Sequence, residues 1–194
     1  MVPTRSNDFI FNKIGWWFPA NMLLNGLWLP TFQSNTSVGF TIAFIIMIAL
    51  LTTSLVMAKR ACNAELNAIE VICLRSAMSI YSGWVGCATI ISASMMLKMY
   101  FTVNEAAWGV GMLWIAVVFY IVNTYLNMDP LFGGVLVWAC CAIRSKNTNA
   151  MLESNLKAII GIMSMYVCII AAYALYMKFK KSKPEAVAAK NNDW

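Results

Sequence analysis

Few side chains in this 194-residue chain are equipped for catalysis. It contains no histidine, which removes the commonest general base and the commonest haem ligand. Six cysteines (Cys62, Cys73, Cys87, Cys140, Cys141, Cys168) are scattered through apolar sequence without a CxxC pair. Zinc sites and disulfide frameworks need grouped thiols, so neither is indicated, and these cysteines read as small packing residues. Ser92 and Cys87 are nucleophiles by type, yet no base lies within predictable reach of either. What remains is chemistry of recognition. Asn25 and Trp28, three positions apart, put an amide and an indole on one helix face just before Pro30. That pair either lines a cavity or serves packing. Trp28, Trp84, Trp114 and Trp138 lie well inside apolar segments, where indoles can wall an aromatic pocket for a flat apolar ligand.

The elements that position these residues are set by the solvent. From Ile14 to Ala58 the chain runs 45 residues without an Asp, Glu, Lys or Arg. A helix crosses the hydrocarbon core in about 20 residues at about 1.5 Å each, so this stretch holds two crossings and a turn. Hydrophobic residues make up 61% of the chain and charged residues 11%, well below the roughly 25% charged of a soluble domain. Apolar segments fall near 14–34, 38–58, 76–97, 106–128, 131–143 and 158–177. Without period-2 alternation a barrel is excluded, so the expectation is an all-α polytopic membrane bundle of about six transmembrane helices, the fifth one short. The bundle spans residues 1–178 as one domain, followed by a polar basic C-terminal tail, 179–194.

Orientation follows from the cations. With six crossings, ten Lys and Arg share the side of the termini and four lie opposite, which puts both termini on the cytosolic or matrix side. Residues 1–12 are too polar for a cleavable signal peptide. No ionisable residue lies near a span centre, which argues against a proton pump or an ion-coupled carrier. Lys98, Glu105 and Asp129 sit at span ends and read as solvated anchors. Trp16, Trp17 and Trp108, also at span ends, read as interfacial belt residues. Neutral polar residues within spans, among them Asn21, Thr53, Ser92 and Ser94, read chiefly as interhelical glue. The third span carries small pairs four apart, Ser82/Gly86, Gly83/Cys87 and Ala88/Ser92, and so belongs at the bundle centre. Residues 61–75 are expected to begin that helix outside the hydrocarbon.

Lys178, Lys180, Lys181 and Lys183 form a juxtamembrane basic cluster. It suits orientation, or binding of anionic lipid head groups such as cardiolipin. The net charge of +6 needs no nucleic acid to explain it.

The segment Asn25-Gly26-Leu27-Trp28-Leu29-Pro30-Thr31-Phe32 resembles the N-x-x-W-x-P-x-F helix end of the translocator proteins, also called tryptophan-rich sensory proteins or peripheral benzodiazepine receptors. Tyr81-Ser82-Gly83-Trp84-Val85-Gly86-Cys87-Ala88 is similar to the family's Y-x-x-W-x-x-x-A helix. The resemblance covers about residues 14–145 and is nearest to a divergent eukaryotic branch with extra C-terminal helices. The family's early helix, with its Pro-Pro pair and W-x-F-x-x-x-W pattern, has no counterpart, because only 13 residues precede the first span. The family's cavity takes tetrapyrroles and cholesterol-related ligands. Carried over residue by residue, the resemblance implies a remnant of it lined by Asn25, Trp28, Tyr81, Trp84 and Ala88.

Together these readings lead to a non-catalytic membrane protein. The first expectation is an accessory subunit that packs with other membrane subunits and phospholipids in a larger assembly, a respiratory complex of the mitochondrial inner membrane being the example. It needs no metal and no cofactor beyond a bound lipid. The alternative is a binder or transporter of a flat apolar ligand, a tetrapyrrole or sterol.

Overall fold

The computed structural model describes residues 14–63 and 68–191, and side chains within them except those of 68, 178, 179 and 181–191. Among these residues there are six helices and no strand. Helix α1 is Trp17–Gln33 and α2 is Ser37–Cys62. Helix α3 starts as Ala68–Glu70, passes through a π-helical turn at Val71–Arg75 and continues as Ser76–Tyr100. Then come α4, Glu105–Asn127, α5, Pro130–Lys146, and α6, Ala150–Asn191. The expected helical bundle is what forms. Four of the helices, α2, α3 from Val71, α4 and α6 to Met177, are long and apolar enough to cross a membrane. At 17 residues each, α1 and α5 reach about 26 Å, slightly less than the roughly 30 Å of a hydrocarbon core.

The boundaries have local causes. Thr36 caps α2, its hydroxyl accepting from Gly39 N–H at 3.0 Å. Asn104 caps α4, accepting from Ala106 and Ala107 N–H, and Asn149 does the same for α6 with Met151 and Leu152. Between α4 and α5 the chain turns within two residues. Met128 adopts a left-handed conformation (φ 47°), Asp129 caps α5, and Pro130 fills its first position. Helix α5 is four residues longer than its apolar segment, because Ser145 and two exposed cations, Arg144 and Lys146, make up its last turn. Pro30 donates no backbone bond, yet α1 continues past it to Gln33, with the Thr31 hydroxyl donating to the Leu27 and Trp28 carbonyls.

Helix α3 sits at the centre, as its small residues foretold. It packs against α2 on one side and against α4 and α5 on the other, while α1 packs on α2, and α6 covers α4 and α5. Two apolar cores result. Met47, Leu50 and Val85 centre the one between α2 and α3, with Leu24 and Trp28 of α1 against it. Tyr120, Phe132, Leu136, Cys140 and Ile159 belong to the larger one among α3, α4, α5 and α6. A Cβ on Gly83 would lie 2.9 Å from Val135, and one on Gly86 would lie 2.9 Å from Phe119. Without side chains there, α4 and α5 approach α3 closely. Into that gap Tyr120 directs its hydroxyl, which donates to the Gly83 carbonyl and lies 2.9 Å from Cys87 Sγ.

One expectation is corrected. Asp129 is not a solvated anchor but only 5% exposed. Its carboxylate accepts from the Ser79 hydroxyl of α3 and, at 3.2 Å, from Leu131 N–H, so the group that caps α5 also fastens it to the central helix. Lys98 and Glu105 do pair at the surface, 3.0 Å apart. Trp16 is exposed, Trp17 lies under the Arg60 guanidinium at 5.5 Å, and the Trp108 indole donates to Ser94 Oγ at 2.8 Å. The basic cluster lies on α6, whose backbone stays helical to Asn191. Lys180 is exposed, and the side chains of Lys178, Lys181 and Lys183 lie outside the described residues.

Candidate functional site

Helical spacing brings the site together. On α1, Asn21, Asn25, Trp28 and Phe32 recur at intervals of four, three and four, and so share one face. On α3, Tyr81, Trp84, Ala88 and Ser92 recur at three, four and four. Helix α2 lies between the two and supplies Met47 and Leu50 as an apolar floor. The half-open cavity between them has a volume of about 270 Å³. Asn25, Trp28, Tyr81, Trp84 and Ala88 all line it, residues drawn from two helices more than fifty positions apart.

Below these residues lies the bond system that holds the three helices in register. The Asn21 side chain is fully buried. Its amide donates to the Thr53 hydroxyl at 2.7 Å and to the Leu50 carbonyl at 3.2 Å, and its oxygen accepts from the Tyr81 hydroxyl at 2.6 Å. Asn21 and Thr53 are thus the interhelical glue the sequence indicated. Tyr81 spends its hydroxyl on that network and offers the cavity a ring edge. Trp28 stacks at a tilt on Phe32, centroids 5.5 Å apart, and Phe32 meets Phe40 edge-on at 5.2 Å. Asn25 lies at the exposed rim, as does Trp84, which is 50% exposed.

Two polar atoms in this cavity are left over. Trp28 Nε1 and Ser92 Oγ are both buried, and neither has a hydrogen-bond partner. An unmade bond in an apolar surrounding costs about 1–3 kcal/mol, and buried polar groups are paired in the great majority of cases. An indole N–H can only donate, whereas a serine hydroxyl donates or accepts. The arrangement is therefore fitted to an oxygen acceptor entering among aromatic walls. No acid–base pair lines the cavity.

Ser92 is the residue that sequence reasoning took for packing. Its signal was present: it continues the Tyr81–Trp84–Ala88 spacing by one more turn. Phe32, Met47 and Leu50 carried no signal beyond being apolar. Of the other interior tryptophans, Trp138 meets Trp84 at a steep tilt of 56°, centroids 5.6 Å apart. Trp114 donates to Asn155 Oδ1 at 3.1 Å and lines neither this cavity nor the one beside Trp138.

A family model described as TSPO-like protein matches residues 1–177, further in both directions than the stretch covered by the two motifs. No curated protein and no solved structure matches the chain.

Proposed function

This chain belongs to the TSPO-like family, and on that premise we propose that it is a non-enzymatic membrane protein that holds a flat apolar ligand, a tetrapyrrole or sterol, by an oxygen-bearing edge in the cavity among α1, α2 and α3. The observation that carries this reading is the pair of buried, unpartnered atoms, Trp28 Nε1 and Ser92 Oγ, in the cavity that gathers all five family-like residues. At about 270 Å³ the cavity is slightly smaller than the roughly 300–1,000 Å³ of ligand sites. The ligand therefore enters edge-on, its remaining surface resting on the half-exposed Trp84 ring and the surrounding lipid. Asn25 at the rim serves as an outer polar handle.

Tryptophan fluorescence of the purified chain, titrated with protoporphyrin and separately with a sterol, tests the reading. Saturable quenching or a saturable spectral shift that is weakened by Ser92→Ala and abolished by Ala88→Phe, which fills the cavity, supports it. A response that does not saturate, or that Ala88→Phe leaves intact, overturns it.

A second reading, an accessory subunit of a larger membrane assembly, draws on Gly26, Gly111, Gly134 and Gly161. At each of them an added Cβ would meet nothing within 4 Å, which leaves small residues on outward faces where neighbouring membrane helices pack closely. The assembly in this reading is a respiratory complex of the mitochondrial inner membrane. Both termini face the matrix, and the Lys178–Lys183 cluster meets anionic phospholipid such as cardiolipin. Gentle solubilisation followed by a native gel separates the readings, since migration near the chain's own 21.6 kDa speaks against a subunit.

A further inference from the structure

A second cavity, of about 360 Å³, lies on the other side of Trp84, among α3, α4 and α5. Its surroundings differ from those of the first. The polar side chains along it are already engaged: Ser94 Oγ accepts from the Trp108 indole, and Cys87 Sγ lies 2.9 Å from the Tyr120 hydroxyl. The cleft therefore presents an almost wholly apolar surface. It opens on the outside of the bundle, since Trp84, Trp138, Ile91 and Ile143 on its walls are all exposed. From Trp84 to Met95 it follows α3 for about 17 Å along the helix axis. At membrane depth, an unpolar channel of that length facing outward fits a hydrocarbon chain.

The mouth of the cleft supplies the second half of the argument. Ala142 and Ile143 also border an adjoining shallow surface depression, whose other residues are Lys146 and Asn147. Arg144 and Lys146 form the basic last turn of α5, and both are exposed. Neither forms an ion pair with a carboxylate among the described residues. Glu105 is held by Lys98 at 3.0 Å and Glu153 by Lys157 at 2.7 Å. A helix C-terminus favours cations in any case; here Lys146 stands where an apolar cleft ends, and Arg144, two residues before it on the same helix, also acts electrostatically on Glu153.

From this continuity we infer that the α3–α4–α5 cleft is a binding site for an anionic phospholipid, one acyl chain lying along Trp84, Ile91 and Ile143 and the phosphate reaching Arg144 and Lys146. A zwitterionic lipid can use the same cleft for its chain, but only an anionic head group gains from both cations. Each basic residue near the surface contributes about a fivefold preference for anionic lipid. The cleft shares Trp84 and Ile91 with the ligand cavity among α1, α2 and α3, whose orphaned polar atoms ask for a different occupant.

The full chain reconstituted in phosphatidylcholine vesicles, with increasing fractions of acyl-brominated phosphatidylglycerol or acyl-brominated phosphatidylcholine, reports on the site through tryptophan quenching. Half-maximal quenching is expected at a mole fraction up to roughly 25-fold lower for the anionic lipid, fivefold for each of two cations. The double variant Arg144→Gln/Lys146→Gln brings the two lipids to the same curve. Trp84→Phe/Trp138→Phe removes the component that shows the preference. Equal quenching by both lipids in the unaltered chain overturns the inference, as does a preference that survives loss of both cations or of both indoles.

Discussion

The Tyr81 hydroxyl donates to Asn21 Oδ1 at 2.6 Å and so ties α3 to α1 across sixty positions of sequence. Asn21 is the centre of that contact, because its amide also holds Thr53 and Leu50 of α2. Single interhelical bonds in membrane bundles contribute on the order of 0.6 kcal/mol. Tyr81→Phe removes one such bond and is expected to cost about that much. Asn21→Leu removes three and strands the Tyr81 hydroxyl, for about 2 kcal/mol. Unfolding in mixed micelles by a titrated denaturing detergent measures both, and equal costs for the two variants would show that Asn21 is not the hub.

Ser92 and Trp28 make opposite demands on the empty and the filled cavity. Ser92 is 1% exposed, with an unbonded hydroxyl, so Ser92→Ala removes a desolvated group that nothing compensates. The ligand-free protein should keep or gain stability by up to about 1 kcal/mol. Ligand affinity should fall, on the order of fivefold, for loss of one hydrogen bond. Trp28→Phe keeps an aromatic wall and deletes only the donor, so it should weaken binding similarly with little change in the empty state. Thermal unfolding with and without ligand separates these effects. Loss of stability in the absence of ligand for Ser92→Ala would mean that the hydroxyl serves packing.

What could be read in advance, and what could not, follows a physical division. The uncharged run from Ile14 to Ala58 is long enough that only membrane helices satisfy its backbone, and α1 and α2 lie within one to four residues of the expected bounds. The cavity walls were legible in part: helical spacing places Asn25 with Trp28 on one face, while Tyr81, Trp84 and Ala88 were reached through the resemblance to the family's helix. Asp129 was not, since a charge at a span end has the same appearance whether solvated or buried. Its burial depends on Ser79, fifty positions earlier, arriving beside it. That Ser92 leaves its hydroxyl unbonded was illegible for a related reason: whether a small hydroxyl in a stripe of small residues finds a partner depends on the helix that arrives beside it. The Val71–Arg75 π-turn likewise has no sequence pattern of its own, although the Ser76 hydroxyl marks it by donating to the Val71 carbonyl at 3.2 Å.

Gly83 tests the close approach of α3 and α5. A Cβ there meets Val135 Cγ2 at 2.9 Å and the Phe132 carbonyl at 3.3 Å. The first neighbour is a side chain that can be trimmed, the second is backbone that cannot. Gly83→Ala is expected to destabilise by about 1–3 kcal/mol through overpacking. Adding Val135→Ala should restore part of that, while Val135→Ala alone costs stability. The full double-mutant cycle, read by the same micelle unfolding, should give a favourable coupling of about 1 kcal/mol. Strict additivity would indicate that α5 shifts away from α3 instead of resisting.

Asp129 joins two tasks in one carboxylate, and its variants can separate them. Oδ1 caps α5 through Leu131 N–H, and Oδ2 accepts the Ser79 hydroxyl. Loss of an N-cap costs about 1 kcal/mol, and stranding a buried hydroxyl costs about 1–3 kcal/mol, so Asp129→Ala should lose about 2–4 kcal/mol. Asp129→Asn retains one carbonyl oxygen, which can serve the cap or Ser79 but not both with equal geometry, and should fall between Asp129→Ala and the unaltered chain. Ser79→Ala leaves the cap in place and strands no hydroxyl, so in an Asp129→Ala background it should recover part of the loss. That recovery distinguishes a fastening between helices from capping alone: if Ser79→Ala adds to the damage of Asp129→Ala, the carboxylate acts only on α5, and its contact with α3 is incidental.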